Sequence, residues 1–184
     1  MNRLSTNRVS VSTMVTKQVV SVSDPLQKGY SYTCTELAGK NFAPDFSPDL
    51  TPREMLELGV FGGDYFEGEI YEYPSSWFKN AKLSEPGRYD THLNYFRVRA
   101  SQSRSEWARK GWLYVDDPRG WFQWYCRYYL GRRVPQEDAR QIARWKNIVR
   151  HLSQIKLHCR QGDKTCRPRQ RQAVLHWSYN STQM

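Results

Sequence analysis

DDPRGWFQWYCRYYLGRR, residues Asp116 to Arg133, places six aromatic rings between Trp121 and Tyr129 and decides the fold. Its punctuation is helical. Asp117 can cap free backbone N–H groups, Pro118 suits a first helical position, and Gly131 suits a left-handed stop. At helical spacing Trp121, Trp124, Tyr125 and Tyr128 share one side, and Phe122, Cys126 and Tyr129 form an adjacent strip. Arg119, Gln123 and Arg127 make a polar row. A helix aromatic on this many sides belongs at the centre of a packed core, so other elements must surround it.

Working toward the C-terminus, Ser103 and Glu106 form a capping box for a helix through SEWARKG. A longer helix opens at Pro135, with Glu137 and Asp138 at its positive end, and is expected to reach His158. Its apolar stripe is Ile142, Trp145, Ile148, Val149, Leu152 and Ile155. After the turn RQGDKTCRP, a last helix runs through RQRQAVLHWSY. Toward the N-terminus, Thr51, Pro52, Glu54 and Gly59 punctuate another helix, and SWFKNAK reads as a short one. KGYSYTCTEL and HLNYFRVRA alternate well enough for minor strands, while VFGGDYFEGEIYEYP reads as a loop or irregular hairpin.

The expected fold is therefore mainly α. It is a single compact helical domain over residues 24–184, with about five to six helices and a minor extended or β N-terminal part. Residues 1–23 are acid-poor and Ser/Thr-rich, and read as a disordered extension, with Met14 as another start. A transit peptide for organelle import is the competing reading. Without one, the expected location is the cytoplasm, and no apolar run approaches the roughly 20 residues of a membrane span.

The net charge of +10 is unevenly placed. Arg97 to Arg171 hold 19 Lys/Arg against 6 Asp/Glu, or +13, and the rest of the chain is −3. Such asymmetry points to nucleic acid or another polyanion as partner. The phosphate-contact candidates are Arg119, Arg127, Arg132, Arg133, Arg140, Arg144, Arg167, Arg169 and Arg171. Trp121, Trp124 and Tyr128 are the rings that can stack on unpaired bases. Against this, rings in the central helix can be core, and the arginines can be a hydrated surface.

A second reading is a small enzyme acting on a phosphorylated or nucleobase-containing substrate. Asp116, Asp117, Gln123 and His176 would then surround a pocket. Asp117 also has a sufficient structural task as helix cap. A third reading is a protein-interaction module, favoured if tryptophans form an exposed patch without basic neighbours. No phosphate loop, dinucleotide fingerprint, nucleophile elbow or metalloprotease motif is present, so no cofactor is expected.

His158, Cys159, Cys166 and His176 offer zinc-type ligands, but the gap between the cysteines differs from the short spacing of common zinc knuckles. A redox pair competes with zinc. Reduced, part-buried thiols are the expectation for Cys159 and Cys166, as for Cys34 and Cys126. LTPREMLELGVFGG, DPRGWFQWYCRYYLGRR, QIARW and CRPRQRQAVLHW together resemble a family of uncharacterised bacterial and, more divergently, fungal proteins. The resemblance covers about Asp24 to the C-terminus. It implies a family identity and no activity.

Overall fold

The computed structural model of the protein describes residues 17–66 and 72–184. Its elements in chain order are strands β1 (Gln18–Ser21) and β2 (Ser31–Cys34), then helices α1 (Pro52–Glu57), α2 (Arg104–Arg109), α3 (Trp121–Tyr129), α4 (Pro135–Asn147), α5 (Val149–His158) and α6 (Pro168–Leu175). Three short 3-10 turns, at Pro25–Gln27, Ser75–Trp77 and Ser181–Gln183, complete them. The chain is thus mainly helical, though long loops carry much of it.

α3 is the centre of the core. Trp124 and Cys126 are fully buried, and Trp121, Phe122, Tyr125 and Tyr128 are nearly so. Around it pack α1, α4 and the loop bearing Phe42 and Phe46, whose rings meet those of Trp124, Tyr125, Tyr128 and Trp145 at 5.0–5.7 Å between centroids. Tilted and edge-on pairs of this kind add to the stabilisation from burial. α5 packs against α6, which delivers fully buried Val174 and Leu175 to the same core.

Local signals hold where they are self-contained. The Thr51–Glu54 and Ser103–Glu106 capping boxes both form, and Gly59 adopts the left-handed φ of 64° just past α1. β1 and β2 pair antiparallel, Gln18 opposite Cys34 and Ser21 opposite Ser31. Within the extension expected over residues 1–23, Gln18–Ser21 is a strand, and residues 1–16 lie outside those described. The transit-peptide reading falls mostly on residues outside those described.

Gly131 stitches this hairpin to the core. With φ at 107°, it lets the end of α3 approach so closely that a Cβ would lie 2.0 Å from the Glu36 carbonyl oxygen. The Gly131 carbonyl accepts the N–H groups of Thr35 and Glu36.

Three expected elements differ. The helix expected from Pro135 to His158 breaks at Ile148, where the Ile148 N–H bonds the Trp145 carbonyl three residues back and tightens the turn. HLNYFRVRA forms turns. The Asn94 amide binds the Val98 carbonyl and the Tyr89 hydroxyl, and its oxygen accepts from Val98 N–H, so a side chain takes the place of a strand partner. SWFKNAK gives only the single turn Ser75–Trp77.

Candidate functional site

α3 begins three residues later than its sequence suggests. Gly120, at φ 91°, occupies the cap position, and Asp117 has a different task. Its fully buried carboxylate meets Arg127 Nη1 at 3.1 Å and Arg132 Nη2 at 2.5 Å. Arg127 also holds Glu72 through two hydrogen bonds, at 2.6 and 2.9 Å, and donates to the Gln27 side chain at 2.9 Å. Two acids and two bases thus close an internal ionic quartet. Burial pushes the Asp117 carboxyl above its ordinary value while the two guanidiniums pull it down.

A second pair lies beside it. Arg119 binds Asp24 through Nε at 2.6 Å and Nη2 at 3.0 Å, and Gln123 Nε2 reaches the same carboxylate at 3.2 Å. Burial raises the Asp24 carboxyl, but the bonds from Arg119 and from the Leu26 N–H bring it below the ordinary carboxylate range. Of the i, i+4 row expected from the sequence, Gln123 and Arg127 lie on α3 and Arg119 just before it, and all three are buried.

A concave surface with ligand-like lining lies at the start of α3. A cavity of about 270 Å³ is walled by Phe61, Tyr65, Trp107, Trp112, Leu113, Gly120, Trp121, Phe122, Arg144, Ala173, His176 and Trp177. It adjoins a second lobe of about 260 Å³ that shares Phe61, Tyr65, Ser101, Gln102, Trp107 and His176 and adds Asp64, Tyr89, Arg99, Ser103, Arg104 and Arg119. The first lobe is mainly aromatic, and the second adds charged and polar side chains to shared aromatic walls. Pockets of this type, mostly apolar with a few convergent polar groups, are the usual places for small-ligand recognition.

Each wall has a cause in the chain. The Tyr65 hydroxyl donates to the Arg119 carbonyl and accepts the Gln123 N–H at 3.2 Å, so one wall is tied to the first turn of α3. Trp121 is fixed by its indole N–H on the Gln141 carbonyl, 3.3 Å away. His176 donates Nε2–H to the Val60 carbonyl at 3.0 Å and stacks on Phe61 at 5.2 Å. A carbonyl can only accept, so Nδ1 keeps its lone pair, and burial pushes this imidazole down to about 4. The opposite wall is α2, a six-residue helix with no buried residue, which hangs Trp107 over the cavity.

Of the candidates drawn from the sequence, His176, Trp121, Arg119 and Arg144 line these two lobes. Asp116, Asp117 and Gln123 line neither and do not converge with His176. Trp124 is buried with its N–H on Asp138 at 2.8 Å, and the Tyr128 hydroxyl accepts the Ala43 N–H at 2.9 Å; both are core.

The arginines divide. Arg119, Arg127, Arg132 and Arg171 are buried, and Arg171 donates to the carbonyls of Cys166, Ser181 and Met184. Their cationic heads are used inside the fold. Arg133 lies 3.9 Å from the Tyr128 ring centre and donates to four backbone carbonyls. Arg140 holds Glu137 in a two-bonded pair at 2.7 Å. Arg167 and Arg169 are exposed.

Cys159 and Cys166 are joined in a disulfide, which corrects the expectation of two reduced thiols there. The bond closes the loop between α5 and α6 and removes both sulfurs as zinc ligands. His158 is exposed beside Gln154, and His176 lies in the cleft. Among the described residues no group of three His, Cys, Asp or Glu side chains is placed to hold a metal. Cys34 and Cys126 are free thiols, both buried.

The cleft was not legible as a site because its walls come from chain segments far apart. The nearest signal was Trp107 and Trp112 amid Arg104, Arg109 and Lys110, two rings spaced through a basic segment. Among the described residues no helix is long and apolar enough to cross a membrane. No protein-family model, curated protein or solved structure matches the chain.

Proposed function

We propose that the chain binds a nucleobase-bearing polyanion, single-stranded nucleic acid above all, with one unpaired base in the aromatic lobe and backbone phosphates on Arg99 and Arg104. The observation that carries this reading is the cleft itself: indole, phenol and phenyl faces in one lobe, exposed guanidiniums in the next. Stacking on such rings is worth about 1–3 kcal/mol per base and tolerates any sequence, because every base has a π-face. Arg150, Lys156, Arg160, Lys164, Arg167 and Arg169, all exposed on or between α5 and α6, supply further positive charge for a flexible strand.

The test is fluorescence anisotropy of labelled oligo-adenylate and oligo-uridylate over a salt series, with tryptophan quenching read in parallel. Binding should weaken steeply as salt rises. Arg99→Glu with Arg104→Glu should lower affinity by roughly tenfold or more. Absence of binding at low salt, or affinity flat across the series, overturns the proposal.

A further inference from the structure

Arg144 is half-buried and, like Arg133 and Arg171, meets no side-chain carboxylate among the described residues, but unlike them it lines the aromatic lobe. Arg119, Arg127, Arg132 and Arg140 each meet a carboxylate. Arg144 Nη1 donates only to neutral oxygens, the Trp112 carbonyl at 3.1 Å and Gln141 Oε1 at 3.0 Å. Its guanidinium lies 5.3 Å from the ring centre of Trp177. The nearby acid, Glu137, is already bonded to Arg140 and Gln141. Burial lowers the Arg144 pKa, with Arg140 adding to the effect, and Glu137 offsets it only in part.

A guanidinium partly withdrawn from water without a counter-charge gains when a ligand supplies one. Arg144 also lines the aromatic lobe, beside Trp112, Trp121 and Trp177. One small cavity therefore presents flat apolar faces and an arginine with no anionic partner among the described residues. A guanidinium offers a rigid fork of donors that matches phosphate oxygens, and charge-assisted bonds of this type are about twice as strong as neutral ones.

We infer that the cleft takes a nucleoside monophosphate unit, its base against the indoles of Trp107 and Trp112 and its phosphate on Arg144. The inference rests on the base-binding reading of the cleft and adds to it the anion that the aromatic lobe itself recognises. A free nucleotide and the phosphorylated end of a single strand present the same chemistry.

The experiment titrates the full chain with adenosine, adenosine 5′-monophosphate, and a short oligo-adenylate with and without a terminal 5′-phosphate. Tryptophan quenching and calorimetry report binding to wild type, Arg144→Met and Arg144→Lys. In wild type the monophosphate should bind on the order of ten- to a hundredfold more tightly than adenosine. Arg144→Met should erase that preference while adenosine still quenches, and Arg144→Lys should restore part of it. A further gain for the phosphorylated oligonucleotide assigns the strand end as source, and equal or weaker binding assigns the free nucleotide.

Equal affinity for adenosine and its monophosphate in wild type overturns the role of Arg144 and leaves the base-binding cleft standing. So does a preference that persists in Arg144→Met. If none of the four probes binds, both readings fall. The wild-type comparison decides the matter even if Arg144→Met does not fold.

Discussion

Replacing Arg127 by Met gives the sharpest test of where the positive charge of this chain is used. Arg127 is fully buried and joins Glu72, Asp117, Gln27 and the Asp116 carbonyl. Met fills much of its volume but leaves Glu72, itself 4% exposed, without an ion-pair partner among the described residues. Asp117 keeps Arg132. Removing one member of a buried pair typically costs about 3–5 kcal/mol, mainly as the penalty of the orphaned charge. For a chain of this size that is a drop of roughly 10 °C or more in melting temperature.

The assay is urea denaturation followed by circular dichroism and tryptophan fluorescence, with thermal melts alongside. Adding Glu72→Gln to Arg127→Met removes the stranded charge, so the double variant should be more stable than the sum of the two single losses by over 1 kcal/mol. Strand affinity per folded molecule should not change. An Arg127→Met protein within about 1 kcal/mol of wild type would refute the ionic-quartet reasoning. So would one that folds normally yet loses nucleic-acid affinity, since that places Arg127 on the ligand.

Two further outcomes follow from the same geometry. His176 is held at about 4 against an ordinary 6.5, so the unfolded chain takes up a proton that the folded chain refuses. Stability should be full above pH 6.5 and fall toward pH 4, by about 1–3 kcal/mol after allowance for solvent in the cleft. His176→Gln, measured by denaturation at several pH values, should lack that part of the slope; an unchanged slope refutes it. The Cys159–Cys166 bond spans a sequence separation of 7. Its loss should therefore cost about 2 kcal/mol by loop entropy. A thiol reductant should lower the melting temperature of wild type and leave Cys166→Ser unmoved, and a wild-type melt insensitive to reductant counts against the bond.

Sequence reasoning succeeds here where the physics is local. The Thr51–Glu54 and Ser103–Glu106 boxes need only residues three apart, and each forms. The aromatic crowding of Trp121 to Tyr129 was enough to place α3 at the centre, because no helix can expose so many rings. Asp117 shows the limit. Its neighbour Pro118 makes a cap plausible, but its true partners, Arg127 and Arg132, arrive from the far end of α3. A tertiary ion pair outcompetes a local cap, and nothing in the immediate sequence announces it.

The same reason explains the arginines. Charge counted along the chain says nothing about which heads are already neutralised, and Asp24 and Glu72, the acids that bind Arg119 and Arg127, lie in the half with negative net charge. The break at Ile148 was hidden too, since the apolar stripe continues through it while one backbone bond shortens. The cleft is a meeting of residues 61–65, 101–113, 121, 144 and 173–177, and only folding brings these together.

The two walls of that cleft are built to different standards. Tyr65 belongs at once to the cavity and to the hydrogen bonding of the first turn of α3, whereas α2 buries nothing and contributes Trp107 from outside the core. Substitutions around Trp107 can therefore reshape the cavity at little cost to folding, while any change at Tyr65 disturbs both. Divergence in the shape of that cavity has an open route along residues 101–113, and the rest of the chain can stay fixed while it is explored.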